Sequence, residues 1–168
     1  MSSDKPKWKA KADITYEELF NPNWNIPHIG IVRIGRELES QLGKKKAHEI
    51  IVNAANARPD FKTTKTTPEE IVKEWREALE TSSPVMKHAL EMEFEDVSPT
   101  KFKLRVEDCL FARAFRGMEA ADIGYLWECN SDYESTSRFH PNLKMKRTRT
   151  LMQGDDFCDF TWYWEESK

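Results

Sequence analysis

Apolar residues recur at helical spacing through the first half of the chain and at alternate positions through much of the second, and this change of period sets the architecture. From Ile29 to Leu42, the apolar positions Ile31, Ile34, Leu38 and Leu42 keep to one helical face, and Gly43 supplies a stop. Ala47, Ile50, Ile51, Ala54 and Ala55 then form a stripe of mostly small side chains suited to close helix packing, in a helix that ends before Pro59. Phe61 to Thr66 reads as a polar loop. Thr67-Pro68-Glu69-Glu70 is a capping box with proline at the first helical position, so Ile71, Val72, Trp75 and Leu79 line a third helix.

The period then falls to two. Leu90, Met92 and Phe94 alternate with glutamates, and after Ser98-Pro99, Phe102, Leu104 and Val106 alternate with basic residues. Setting Phe94 against Phe102 also sets Glu95 against Lys101, Glu93 against Lys103 and Glu91 against Arg105. Asp108 ends this hairpin and caps a helix carrying Leu110, Phe111, Ala114 and Phe115. Glu119 to Cys129 continues helically through Ile123, Leu126 and Trp127, and Asn130 to Arg138 reads as a polar loop. A second hairpin follows Pro141. With Gly154-Asp155 as a tight turn, Leu151 faces Cys158, Arg149 faces Phe160, Arg147 faces Trp162 and Met145 faces Trp164. The pattern predicts an α+β fold in which N-terminal helices (28–82) pack on an antiparallel sheet of about four strands. That sheet is built in 83–168 from two hairpins joined by a helical segment.

Composition narrows the classes. A chain of 168 residues, 39% hydrophobic with six Trp and nine Phe, buries one sizeable core and is short for two, which predicts a single domain. Residues 1–27 form an arm with Lys5, Lys7, Lys9 and Lys11, in which Ile14, Tyr16, Leu19 and Phe20 suit a docked short helix. With Trp8 and Trp24, the arm also offers a route to a homo-oligomer. A net charge of −3 and a pI near 5.9 provide no basic field for nucleic acid. No apolar run approaches the roughly 20 residues of a membrane span, and no h-region follows the lysines, so a cytoplasmic location is expected. Cys109, Cys129 and Cys158 stand 20 and 29 residues apart, which suits reduced thiols and contains no zinc signature. No metal or cofactor is expected on this basis.

The parity of the second hairpin places Arg147, Arg149, Gln153, Asp156 and Cys158 on one inward face, backed by Phe160 and Trp162. An inward guanidinium needs an anion. That anion is either a substrate carboxylate or an internal acid such as Glu107, Glu128 or Asp132. Cys109, in the first turn of a helix, stands where a thiolate nucleophile is favoured, although a buried cysteine also serves as a small hydrophobe. Asp156 shares the parity of Cys158 and suits a general base, whereas Asp159 points outward; aspartates are also ordinary turn formers. His48 and His88 read as surface residues.

Arg147-Thr148-Arg149-Thr150-Leu151-Met152-Gln153-Gly154-Asp155-Asp156-Phe157-Cys158-Asp159-Phe160 resembles the C-terminal signature of the L-2-amino-thiazoline-4-carboxylic acid hydrolase family. Val106-Glu107-Asp108-Cys109, then Glu128-Cys129-Asn130-Ser131-Asp132 and Asn142, resemble the same family's elements in the same order, over about residues 85–165. Phe157 departs from the polar residue or histidine of many members. The resemblance implies hydrolytic opening of a 2-aminothiazoline ring to an N-carbamoyl-cysteine type product. In that scheme Arg147 and Arg149 hold the substrate carboxylate over Trp162 and Phe160. Cys109 attacks, or water attacks with Asp156 as base while Cys109 or Cys158 handles protons, and Gln153 steadies the tetrahedral centre. A more distant likeness, to vinyl-reductase-type small-molecule-binding domains, implies the alternative of an anionic-metabolite binding or sensor domain without turnover.

Overall fold

The helical period of the N-terminal half is realised as three helices, α1 (Ile26–Leu42), α2 (Lys44–Asn56) and α3 (Pro68–Thr81). They belong to a computed structural model that describes residues 15, 17, 20, 26–57, 62–81 and 84–166. Gly43 separates the first two helices. α2 buries Ala47, Ile51 and Ala55, the small-residue stripe expected of it. The Thr67 hydroxyl accepts from the Glu70 N–H at 3.4 Å and donates to its carboxylate at 2.8 Å, closing the start of α3, which buries Ile71, Val72 and Trp75. Most of the arm, including Ile14, Tyr16, Leu19, Trp8 and Trp24, lies outside the described residues. Phe20 lies within them and is buried edge-on against Phe111, 4.7 Å between ring centroids.

A short helix, α4 (Pro84–Ala89), leads into β1 (Leu90–Ser98) and β2 (Lys101–Cys109). Then come α5 (Leu110–Gly117), α6 (Ala121–Gly124), a π-helical turn (Tyr125–Cys129), α7 (Ser131–Phe139), β3 (Leu143–Arg147), a 3₁₀ turn (Leu151–Gln153) and β4 (Cys158–Trp164). The four strands form one antiparallel sheet in the order β1-β2-β4-β3. The fold is therefore α+β, with N-terminal helices and a four-stranded sheet.

Within the strands the expected faces are kept, but in the β3–β4 connection Arg149, Gln153 and Asp156 are exposed and Thr150 is buried, and both hairpins shift the expected register. Phe94 pairs with Leu104 rather than Phe102, because the tip closes on Ser98 and Lys101 with a bulge between Asp96 and Ser98. In the second hairpin Arg147 pairs with Phe160 and Met145 with Trp162, and Gly154-Asp155 is not a two-residue turn. β3 stops at Arg147 because side chains take over the hydrogen bonding of the ladder. The Asp159 carboxylate accepts from the N–H groups of Thr148 and Arg149. Thr150 caps the 3₁₀ turn through Met152 N at 3.3 Å, and the Asp155 carboxylate accepts from Thr150 N at 2.8 Å. Gly154, at φ +101°, supplies the left-handed turn out of this loop.

A third correction concerns Asn130 to Arg138, which is not a loop: most of it is α7. Its serines and threonine are weak helix formers, so tertiary contact decides. Thr136 is buried, its hydroxyl donating to the Asp132 carbonyl at 2.7 Å and accepting from Trp162 Nε1 at 3.0 Å.

The inner face of the sheet, with Phe102, Leu104, Val106, Cys158 and Trp162, packs against α3 and Phe139 of α7. A second cluster holds Ile51, Ala112, Phe115, Ile123 and Met152. Gly124 is the tightest point in that cluster: a Cβ there would lie 2.5 Å from Phe115 Cγ and 2.7 Å from Met152 Sδ. Gly124→Ala is expected to destabilise the protein by about 1–3 kcal/mol through overpacking, read as a lower urea midpoint at unchanged slope.

Candidate active site

Between the sheet's inner face and the π-turn–α7 segment lies a cavity of about 200 Å³. Its sheet side is apolar, with Leu104, Val106 and Trp162 among the contributors, whereas the opposite side carries Glu128, Cys129, Asp132 and Ser135. Cys109 and Cys158 complete the lining, so all three cysteines reach one space. A larger groove of about 470 Å³ runs between α3 and the β1–β2 tip. None of the cysteines lines it, and its Arg76 is already paired with Asp96 at 2.6 Å and Glu80 at 2.7 Å. Chemistry therefore favours the smaller cavity.

Each thiol is placed by backbone geometry. Cys109 ends β2 and is itself the N-cap of α5, its sulfur accepting from Ala112 N at 3.4 Å. Asp108, expected in that role, instead accepts from the Cys109 N–H at 2.9 Å. Cys158 opens β4, and its sulfur accepts from Leu151 N at 3.3 Å. The buried Thr150 hydroxyl links the other pair: Cys158 donates to it at 3.8 Å, and it donates to Cys129 Sγ at 3.9 Å. Burial pushes the thiols of Cys109 and Cys129 up to about 12 and raises that of Cys158. All three are neutral at pH 7, despite the helix terminus at Cys109.

Arg147 is the charged anchor. Its side chain is only 3% exposed, and it donates to the Asp132 carboxylate at 2.8 Å and to the Cys129 carbonyl at 3.1 Å. The guanidinium lies 5.0 Å from the Phe160 ring centroid and 5.5 and 5.6 Å from those of Tyr133 and Tyr125. Burial is the largest single influence and opposes its charge, but the Asp132 carboxylate acting together with Cys129, Tyr125 and Tyr133 raises its pKa. Of the acids proposed from sequence to answer this arginine, Asp132 is the one in place.

The remaining expected residues divide. Phe160 and Trp162 line the cavity, stacked at 5.2 Å. Arg149 does not point inward: it is exposed, with its guanidinium 4.8 Å from the Phe157 ring centroid. Gln153 and Asp156 are exposed on the β3–β4 connection, because the 3₁₀ turn breaks the strand parity that would have turned them inward.

Cavity residues that strand parity did not single out are Glu128, Cys129 and Asp132. The π turn, sealed by Asn130 N donating to the Tyr125 carbonyl at 2.8 Å, aims the first two, and such turns are frequent at functional sites. Their signal in the sequence is helical: Glu128, Asp132 and Ser135 recur at spacings of four and three. Away from the cavity, Glu39, His48 and Asp122 lie close enough to one another to hold a cation. There Arg36 already donates to Glu39 at 2.8 Å and to Asp122 at 2.9 Å, which makes the group an ion-pair network.

A family model described as L-2-amino-thiazoline-4-carboxylic acid hydrolase matches residues 27–162. The chain belongs to that family. The match begins in α1 and ends at Trp162, so it spans every residue that lines the cavity. A search among curated proteins found no match. The family description is of a hydrolase, and no helix among the described residues is long and apolar enough to cross a membrane.

The neutral thiols give a testable property of this hydrolase-family cavity. Cys109 and Cys129 are expected to react with iodoacetamide at pH 7 about 10³-fold more slowly than a free thiol, with rates still rising above pH 10. Because the folded-state pKa values lie above those of the unfolded chain, the stability they contribute is complete below about pH 8.5 and declines as pH rises toward 12. The melting temperature should fall over that alkaline window.

Proposed function

We propose that the protein is a small-molecule hydrolase that opens a 2-amino-thiazoline-4-carboxylate ring by thiol attack assisted by a carboxylate base. The observation that carries the reading is the convergence of Cys109, Glu128 and Arg147 on one cavity within the family-matched span. Its 200 Å³ is below the roughly 300–1,000 Å³ of pockets for drug-sized ligands, which suits a single compact ring. Three reduced thiols suit a cytoplasmic setting.

Arg147 holds the substrate carboxylate, since a guanidinium has five N–H donors, more than Asp132 and the Cys129 carbonyl occupy. Cys109 attacks the amidine carbon and passes its proton to Glu128. A base is needed because burial keeps this thiol neutral. The ring C–S bond breaks, and its sulfur takes the proton back from Glu128. Water then attacks the same carbon, its proton going to Glu128 and from there to the departing Cys109 sulfur. The net change is addition of one water. In this proposal Asp156, Gln153 and Arg149 take no part in the chemistry, and Cys158 acts through Thr150 on the hydrogen bonding of Cys129.

The purified protein is expected to convert 2-amino-thiazoline-4-carboxylate to a product heavier by one water and bearing a free thiol. Glu128→Gln should lower kcat/KM by roughly 10²–10⁴-fold. Cys109→Ser should cost roughly 10³-fold or more, and Arg147→Lys should act mainly through KM, by about tenfold. Full activity in Cys109→Ser would remove thiol attack from the scheme. Stabilisation by the ligand with the ring recovered intact would instead identify a binding domain.

A further inference from the structure

His28, near the start of α1, is only 9% exposed. Its Nε2 stands 3.4 Å from Oε1 of Glu128, a carboxylate that lines the cavity. Its Nδ1 is buried without a hydrogen-bond partner among the described residues. The ring sits in an aromatic cage, 5.8 Å from Phe20, 5.6 Å from Phe111 and 5.0 Å from Phe115. Two of those phenylalanines are on α5, the helix that Cys109 caps.

The cage decides the tautomer. An N–H on Nδ1 would be buried against the cage with no acceptor among the described residues, whereas an N–H on Nε2 faces the Glu128 carboxylate, which accepts. The proton therefore belongs on Nε2, facing Glu128. We infer that His28 is a positioning residue that fixes the Glu128 carboxylate toward Cys109, with the cage holding the imidazole in turn. This inference rests on Glu128 being the base in the reading above. It also gives α1 a purpose at the site: the helix delivers a buried polar side chain that lies outside the cavity lining into contact with Glu128 of the π turn. The arrangement repeats the logic of any base oriented by a third group.

The test uses the full chain and 2-amino-thiazoline-4-carboxylate. His28→Phe suits the aromatic cage and removes the donor, so kcat should fall roughly 10–100-fold with KM changed less than about twofold. His28→Gln, which restores an N–H donor, should recover most of kcat. On the Glu128→Gln background, His28→Phe should add no further loss, since a positioning residue acts only through its partner. Unchanged kcat in folded His28→Phe, or a loss that persists undiminished in the double variant, would overturn the assignment. His28→Leu provides a second truncation if His28→Phe fails to fold, judged by its melting transition. An active Glu128→Gln would show that the base was misassigned, which is a separate failure from that of His28.

Discussion

A guanidinium almost wholly removed from water must meet an anion, and at Arg147 that requirement ties three elements together. β3 supplies the arginine, α7 supplies Asp132, and the π turn supplies the Cys129 carbonyl. Breaking a buried pair leaves an uncompensated charge at a cost of roughly 3–5 kcal/mol, moderated here because Asp132 is 38% exposed. The pair therefore fixes where the π turn lies over the sheet, and with it the position of Glu128 above the apolar floor. Tyr125, Tyr133 and Phe160 surround the charge and leave its ring-facing sides dry.

Around that anchor the cavity is built from groups that are neutral or already answered. The thiols are neutral because burial outweighs both the α5 terminus and the hydrogen bonds they accept. No thiolate stands in the cavity at rest, so the proposed reaction requires a base beside the attacking thiol. Glu128 is the cavity carboxylate not committed to Arg147, and its contact on the other side is a caged histidine. The electrostatic character of this cavity is thus set by the segment from Tyr125 to Asp132 at least as much as by the C-terminal strand pair.

The faces of both hairpins were legible because strand parity is local: Leu104, Val106 and Trp162 turn inward whichever residue they pair with. Register was less legible, since it depends on turns whose chemistry is carried by side chains. Asp155, Asp159 and Thr150 cap a 3₁₀ turn and end β3 early, and this removes Arg149, Gln153 and Asp156 from the inward face. Helix α7 was hidden for the opposite reason. Its serines and threonine have weak intrinsic propensity, and the Trp162–Thr136 hydrogen bond that supports it links residues 26 positions apart. His28 carried no signal at all, because its cage is assembled from Phe20, Phe111 and Phe115.

By itself the sequence determined the α+β class, the capped third helix, the small-residue stripe of α2, the inward placement of Arg147, Phe160 and Cys158, and the family resemblance. These rest on periodicities and caps that act over a few residues, so no distant partner is needed to read them. Only the tertiary structure decided that the thiols share one cavity, that Asp132 answers Arg147, and that Glu128, in the lining of that cavity, meets His28. Those facts depend on the crossing of elements far apart in the chain, where burial and charge pairing, rather than local propensity, choose the arrangement.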